Sequence, residues 1–223
     1  MHQLILRLSE PPAPTLENFA LGSNSEVLAV LHAWLAGAVQ ERCIYLWGPA
    51  GCGKSHLLRA VAQRSRGAGR AVICTRSSEL AALEQAAAPT LIAVDDVQRL
   101  SADGQASLFR LFERLREDGA RLLAAGDAAP SGLGLRDDIT TRLAAGLVFQ
   151  LRLLSDEQKA EALRSHARGR GFALSLELTD YLLHHGRRDL PSLMAVLDAL
   201  DEYSLQVKRP ITLPLLREVL QLR

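Results

Sequence analysis

Residues 48 to 55 read Gly-Pro-Ala-Gly-Cys-Gly-Lys-Ser, a full G-x-x-x-x-G-K-[ST] match whose residue types and spacing suit the phosphates of a nucleotide. Gly48, Gly51 and Gly53 let the backbone turn tightly and present N–H groups to phosphate oxygens. Lys54 can reach the β and γ phosphates, and the Ser55 hydroxyl can ligate magnesium. Pro49, Ala50 and Cys52 complete the loop and His56 follows it, so 48–56 is the expected nucleotide contact. An apolar run precedes the loop, and Leu57, Leu58 and Val61 follow at helical spacing. That setting argues against a chance glycine-rich turn.

A second group of candidates is acidic. Asp95-Asp96 directly follows the apolar run Leu91 to Val94. A carboxylate there can hold magnesium while its neighbour orients an attacking water, so we assign Asp95 to the ion and Asp96 to the water. Farther on, Leu122 to Ala125 leads into Gly126-Asp127. Asp127 could sense a γ-phosphate from a strand tip, or simply make an Asx turn before Pro130. Two arginines complete the set, Arg142 in Thr141-Arg142-Leu143 and Arg188 in Arg188-Asp189-Leu190. An arginine beside a γ-phosphate can raise hydrolysis by roughly 10³–10⁵-fold. The chain is rich in arginine, with only Lys54, Lys159 and Lys208 as lysines, so from the residues alone either site could equally be a solvated surface arginine.

These groups need a scaffold. Five apolar runs, 43–47, 71–74, 91–94, 122–125 and 147–151, read as strands, and they are continuous rather than alternating. Strands of that kind are buried on both faces, which predicts an α/β core with a parallel five-stranded sheet flanked by helices. Ser25 is expected to cap a helix running to about Gln40, and Leu108, Leu111, Phe112 and Leu115 mark another. After Leu154 the pattern becomes helical only: a helix capped by Ser155, then 176–185, 190–204 and 212–222, broken near Gly186 and Pro210. The expected division is a leader at 1–14, a nucleotide-binding core at 15–153 and a small all-helical lid at 154–223.

Composition narrows the partners. A net charge of +1 gives no overall field toward nucleic acid or an anionic membrane. Three cysteines without metal-ligand spacing argue against a disulfide framework or a zinc site. No apolar run approaches a membrane span and no signal peptide is recognisable, so a cytoplasmic protein is expected.

In this order, the P-loop, the acidic pair, the Gly-Asp strand tip, the Thr-Arg-Leu element and the helical tail resemble the AAA+ ATPases of the DnaA group, and most closely its Hda family of regulatory inactivators. The resemblance covers nearly the whole chain. It implies Asp127 as the sensor 1 residue, Arg142 as an arginine finger and Arg188 as the sensor 2 arginine. It implies ATP or ADP with Mg2+ as cofactors, and DnaA as a partner. Initiators of the group carry a C-terminal helix-turn-helix domain; the sequence here runs out with the lid, and no sequence-specific DNA binding is expected.

The leader supplies a second partner. Gln3-Leu4-Ile5-Leu6-Arg7-Leu8 resembles the peptide by which the family docks on the DNA polymerase sliding clamp, which implies Gln3, Leu4, Leu6 and Leu8 as clamp contacts. An extended peptide of this kind sets apolar side chains into a groove while glutamine hydrogen-bonds at one end. Arg7 and the lack of an aromatic after Leu8 depart from the commonest clamp motif. The expected function is negative regulation of replication initiation: bound to the DNA-loaded clamp, the protein stimulates ATP hydrolysis by DnaA through an arginine supplied in trans. Its own ATPase would be weak, and a homo-oligomer is compatible. The rivals are a helicase-loader-like ATPase acting on DNA and a clamp-tethered adaptor that hydrolyses nothing.

Overall fold

The computed structural model describes residues 13–83, 90–117, 119–186 and 189–221. The leader residues Gln3, Leu4, Leu6 and Leu8, and the lid residue Arg188, lie outside the described residues. Two compact units meet in sequence at Leu153–Leu154.

The first unit is built on β1 (Cys43–Trp47), β2 (Val72–Arg76), β3 (Leu91–Asp95), β4 (Arg121–Gly126) and β5 (Leu147–Gln150). All pair in parallel, in the order β2-β3-β4-β1-β5. The continuous apolar runs have their reason in the two cores. Ile44, Leu46, Leu91, Ala93, Leu123 and Ala125 point to one face, and Tyr45, Ile92, Val94, Leu122 and Ala124 to the other. Because successive side chains of a strand alternate, an apolar run feeds both cores at once. The edge strands β2 and β5 are only half-buried, as edges allow.

Helices α1 (Ser25–Leu35) and α2 (Lys54–Gly67) pack on the first face through Val27, Leu31, Trp34, Leu57 and Val61. Helices α3 (Ala102–Glu117) and α4 (Asp137–Ala144) pack on the second through Leu108, Phe112, Ile139 and Leu143. Every crossover is helical or contains a 3-10 turn, as parallel pairing requires.

Two details correct the expectation for α1. It stops at Leu35, because Gly37 adopts φ +82° and turns the chain. Ser25 does not cap it: the N-cap is Asn24, whose side chain is engaged elsewhere. Asn24 Nδ2 donates to the Arg152 carbonyl at 3.0 Å, and Arg152 N donates to Asn24 Oδ1 at 2.9 Å. A buried asparagine thus clamps the start of α1 to the end of the unit.

The second unit holds α5 (Asp156–Gly169), α6 (Leu176–His185), α7 (Leu190–Val207) and α8 (Leu213–Gln221) around a core of Leu163, Leu182, Leu197, Leu200, Leu215 and Leu216. Ser155 caps α5 in a reciprocal box: its hydroxyl accepts from Gln158 N at 3.2 Å, and Gln158 Oε1 accepts from Ser155 N at 3.0 Å. Gly186 ends α6 where any side chain would overlap the Leu182 carbonyl and the Leu193 methyl, which forces glycine. Among the described residues no helix is long and apolar enough to cross a membrane.

Candidate functional site

The glycine-rich loop connects β1 to α2. Gly48 sits at φ +153°, where a Cβ would overlap the Leu151 carbonyl oxygen, and Gly53 at φ +101°, where it would overlap the Phe19 ring. Only glycine lets the loop turn this close to β5 and to the segment before α1. The Lys54 side chain, 9% exposed, lies inside the loop: Nζ donates to the carbonyls of Gly48 at 2.6 Å and Pro49 at 3.0 Å. Helix α2 begins there with no side-chain cap and no acidic residue in its first turn. An ammonium held by the loop carbonyls at the start of a helix that no side chain caps fits a phosphate tail.

Ser55 at the start of α2 and Asp95 at the end of β3 line one cleft of about 270 Å³ together with Asp96. Oxygen donors of this kind suit magnesium. Asp96 takes φ +56°, a left-handed conformation that aspartate tolerates better than most residues. That turn sends its amide back to Asp95 Oδ1 at 3.0 Å, and Gln98 Nε2 donates to Asp96 Oδ1 at 3.2 Å. Gln98 therefore orients the carboxylate expected to position water. Sequence reading missed it, because a glutamine two residues past an acidic pair has no signal of its own.

The β4 tip holds a second unanticipated group. In register, Trp47 on β1 lies beside Gly126 on β4, so Asp127 emerges next to the strand that feeds the P-loop. Tyr45, fully buried, donates its hydroxyl to the Ala128 carbonyl at 2.7 Å and pins that turn. Burial, with Asp127 nearby, pushes the Tyr45 phenol well above its usual range, so it stays protonated and donates. Asp127 itself is exposed.

Arg142 stands elsewhere. It projects from α4, which packs on the sheet face opposite α2. Its guanidinium is ion-paired with Glu113 of α3 and lies over the Phe109 ring, 4.4 Å from the centroid. Phe112 is 5.9 Å away.

His56 follows Ser55 in α2. Its Nε2 lies 2.8 Å from the Thr15 carbonyl, which can only accept, so the neutral ring carries its proton on Nε2. Burial chiefly, with help from the Arg59 charge, holds its pKa below the usual histidine value. The side chain thus ties residue 15 to the P-loop helix. All three cysteines are free thiols, and burial pushes Cys43 up to about 12.

A parallel sheet in this order, with the P-loop after β1 and an acidic pair after β3, followed in the sequence by an all-helical unit, is an AAA+ core with its lid. Residues 156–220 match the family model described as Hda, lid domain. An uncharacterised protein of Haemophilus influenzae is 34% identical over 229 residues, covering 99% of both chains. AMPPCP-bound DnaA from Aquifex aeolicus superposes with a TM-score of 0.73 at 24% identity, over 88% of this chain and 68% of that one. Domain III of Thermotoga maritima DnaA gives 0.76 at 20% identity, over 94% and 96%. The chain belongs to the Hda family of DnaA-related AAA+ proteins.

Proposed function

We propose that the protein is a negative regulator of replication initiation, which docks on the DNA-loaded sliding clamp through Gln3, Leu4, Leu6 and Leu8 and stimulates ATP hydrolysis by DnaA. The observation that carries this reading is the placement of Arg142. It stands on the opposite sheet face from the helix of its own P-loop, and a finger so placed serves a neighbour's nucleotide. The core packs head-to-tail on ATP-bound DnaA and Arg142 neutralises charge on the transferring phosphoryl.

The protein's own loop binds ADP or ATP as a ligand of the fold. Gly48 to Gly53 supply N–H groups, Lys54 a positive charge, and Ser55 and Asp95 the oxygens for magnesium, which when bound neutralises phosphate charge. Asp96, Asp127 and Arg188 are the groups through which that nucleotide would be hydrolysed or sensed.

The test is DnaA's ATP hydrolysis measured with this protein, with and without DNA-loaded clamp. Stimulation is expected only when both are present. Arg142→Ala should abolish it while clamp pull-down persists. Gln3→Ala with Leu4→Ala should lose the pull-down and keep ADP binding. An unchanged rate in every mixture overturns the reading.

A further inference from the structure

Residues 13–19 lie on the P-loop helix and are tied to themselves as well as to it. Thr15 N donates to Asn18 Oδ1 at 2.8 Å, Asn18 N donates to Thr15 Oγ1 at 3.1 Å, and Asn18 Nδ2 donates to the Ala13 carbonyl at 3.0 Å. Asn18 thereby closes the segment into a compact turn. Among the described residues, its two outward polar attachments both go to α2. His56 Nε2 donates to the Thr15 carbonyl at 2.8 Å, and Glu17 pairs with Arg64 at 2.6 Å. Leu16 and Phe19 are buried in the core that α1 and α2 share, and the Phe19 ring lies against Gly53, 5.6 Å from the His56 ring.

Gly53 and His56 flank Lys54 and Ser55, so this strap rests on the turn of helix that would receive the phosphates. The first N–H groups of a helix have no partner within it. Phosphate oxygens that accept from them hold Gly53 and the first turn of α2 in place. The surface beneath Phe19 and Thr15 is that same turn. Whatever steadies the turn steadies the strap, and linkage makes the effect reciprocal. The strap also sets a length. Five residues of chain lead from Leu8 to Ala13, a reach of at most about 18 Å. With the strap released, the chain is next fastened by Asn24 to Arg152, sixteen residues from Leu8, and the reach grows to about 58 Å.

We propose that residues 13–19 are a nucleotide-locked strap, held firmly on α2 while ADP or ATP fills the P-loop and released more readily when the loop is empty. Locked, the strap keeps a partner bound to the leader within the short reach of the core. Released, it lengthens the tether about threefold and lowers the effective concentration of core at partner by about sixfold. Nucleotide in this chain is then a signal read out at the leader, whether or not it is ever hydrolysed. The lock rests on the P-loop reading, and its consequence for a partner on the clamp reading.

The experiment is amide hydrogen exchange of the full chain with and without saturating ADP, whose binding is first confirmed by displacement of a fluorescent analogue. ADP should slow exchange in 15–19 by about tenfold or more, and by more than it slows α3 on the opposite sheet face, whose amides report the stability of the whole unit. Glu17→Ala/Asn18→Ala removes the Arg64 pair and the internal turn without touching the P-loop. Its strap should exchange faster, and by reciprocity its ADP affinity should fall by about threefold or more. Slowing of 15–19 that only matches α3 overturns the lock, as does a variant with a faster strap and wild-type ADP affinity. A variant whose strap exchanges no faster shows that these contacts do not hold it, which overturns the lock as well. Failure of ADP to bind sinks the P-loop reading and the lock with it. Failure of the wild type to pull down DNA-loaded clamp sinks the clamp reading alone, because the exchange comparison needs no partner.

Discussion

The guanidinium of Arg142 is ion-paired with Glu113 and rests on the face of Phe109. The finger expected to act on another subunit's nucleotide is thus held by its own neighbour helix, at 29% and 43% side-chain exposure for the two partners. An exposed pair of this kind contributes about 0–1 kcal/mol after solvent screening. Reaching a phosphate means leaving Glu113. Glu113→Gln should therefore leave thermal stability nearly unchanged and raise stimulation of DnaA hydrolysis by up to about fivefold, the factor that ~1 kcal/mol allows. Lower stimulation would show instead that Glu113 aims the finger.

The strand tip that carries Asp127 depends on Tyr45. Gly126 has no room for a side chain, since a Cβ would overlap the Tyr45 hydroxyl. Gly126→Ala should destabilise the core by about 1–3 kcal/mol through overpacking. Tyr45→Phe loses the bond to the Ala128 carbonyl and should cost about 1–2 kcal/mol alone. The double variant should be less destabilised than the sum, because the second change removes the atom the first would strike. Urea unfolding of the four proteins measures the coupling, and strict additivity would contradict the packing described.

His56 gives the core a pH dependence of known sign. Its folded pKa lies below the ordinary 6.5, so the unfolded chain takes up the proton first as pH falls. Stability from this residue is fully present above about pH 6.5 and is lost as pH falls from there through the folded pKa. His56→Gln removes the titration and keeps a donor for the Thr15 carbonyl. Melting temperature plotted from pH 7 to pH 5 should fall less steeply for the variant, and parallel curves would contradict the assignment.

What the sequence made legible was whatever the backbone pattern fixes. The continuous apolar runs became β1 to β5, the P-loop fell between β1 and α2, and the Ser155 cap formed with the reciprocal Gln158 bond. Ser55 and the Asp95-Asp96 pair, 40 residues apart in sequence, line one cleft, because β1 and β3 end on the same edge of a parallel sheet. Hidden were contacts set by tertiary packing alone. Tyr45 reads as one more apolar strand residue until its hydroxyl meets Ala128, and Ser25 reads as the cap of α1 where Asn24 stands, its side chain closed on Arg152.

Among the described residues of the helical unit, one buried charge must stay paired. Asp198 of α7 is 5% exposed, and its Oδ1 accepts from His166 Nε2 at 2.7 Å and pairs with Arg170 at 3.1 Å. Arg170 also donates to Asp201 at 2.9 Å, so α5 is fastened to α7 by two carboxylates one helical turn apart. Hydrogen bonding to Asp201, with Asp198 and Glu202 nearby, raises the Arg170 pKa further above its usual value. Removing the buried carboxylate leaves a histidine and an arginine without their shared acceptor. Asp198→Ala should cost about 3–5 kcal/mol, the range for breaking one side of a buried pair. Asp201→Ala, on a more exposed carboxylate, should cost about 1 kcal/mol or less. Hydrogen exchange of α5 and α7 amides would show the first loosening and the second leaving protection nearly intact. Equal effects would mean that the helices are held by their apolar core alone.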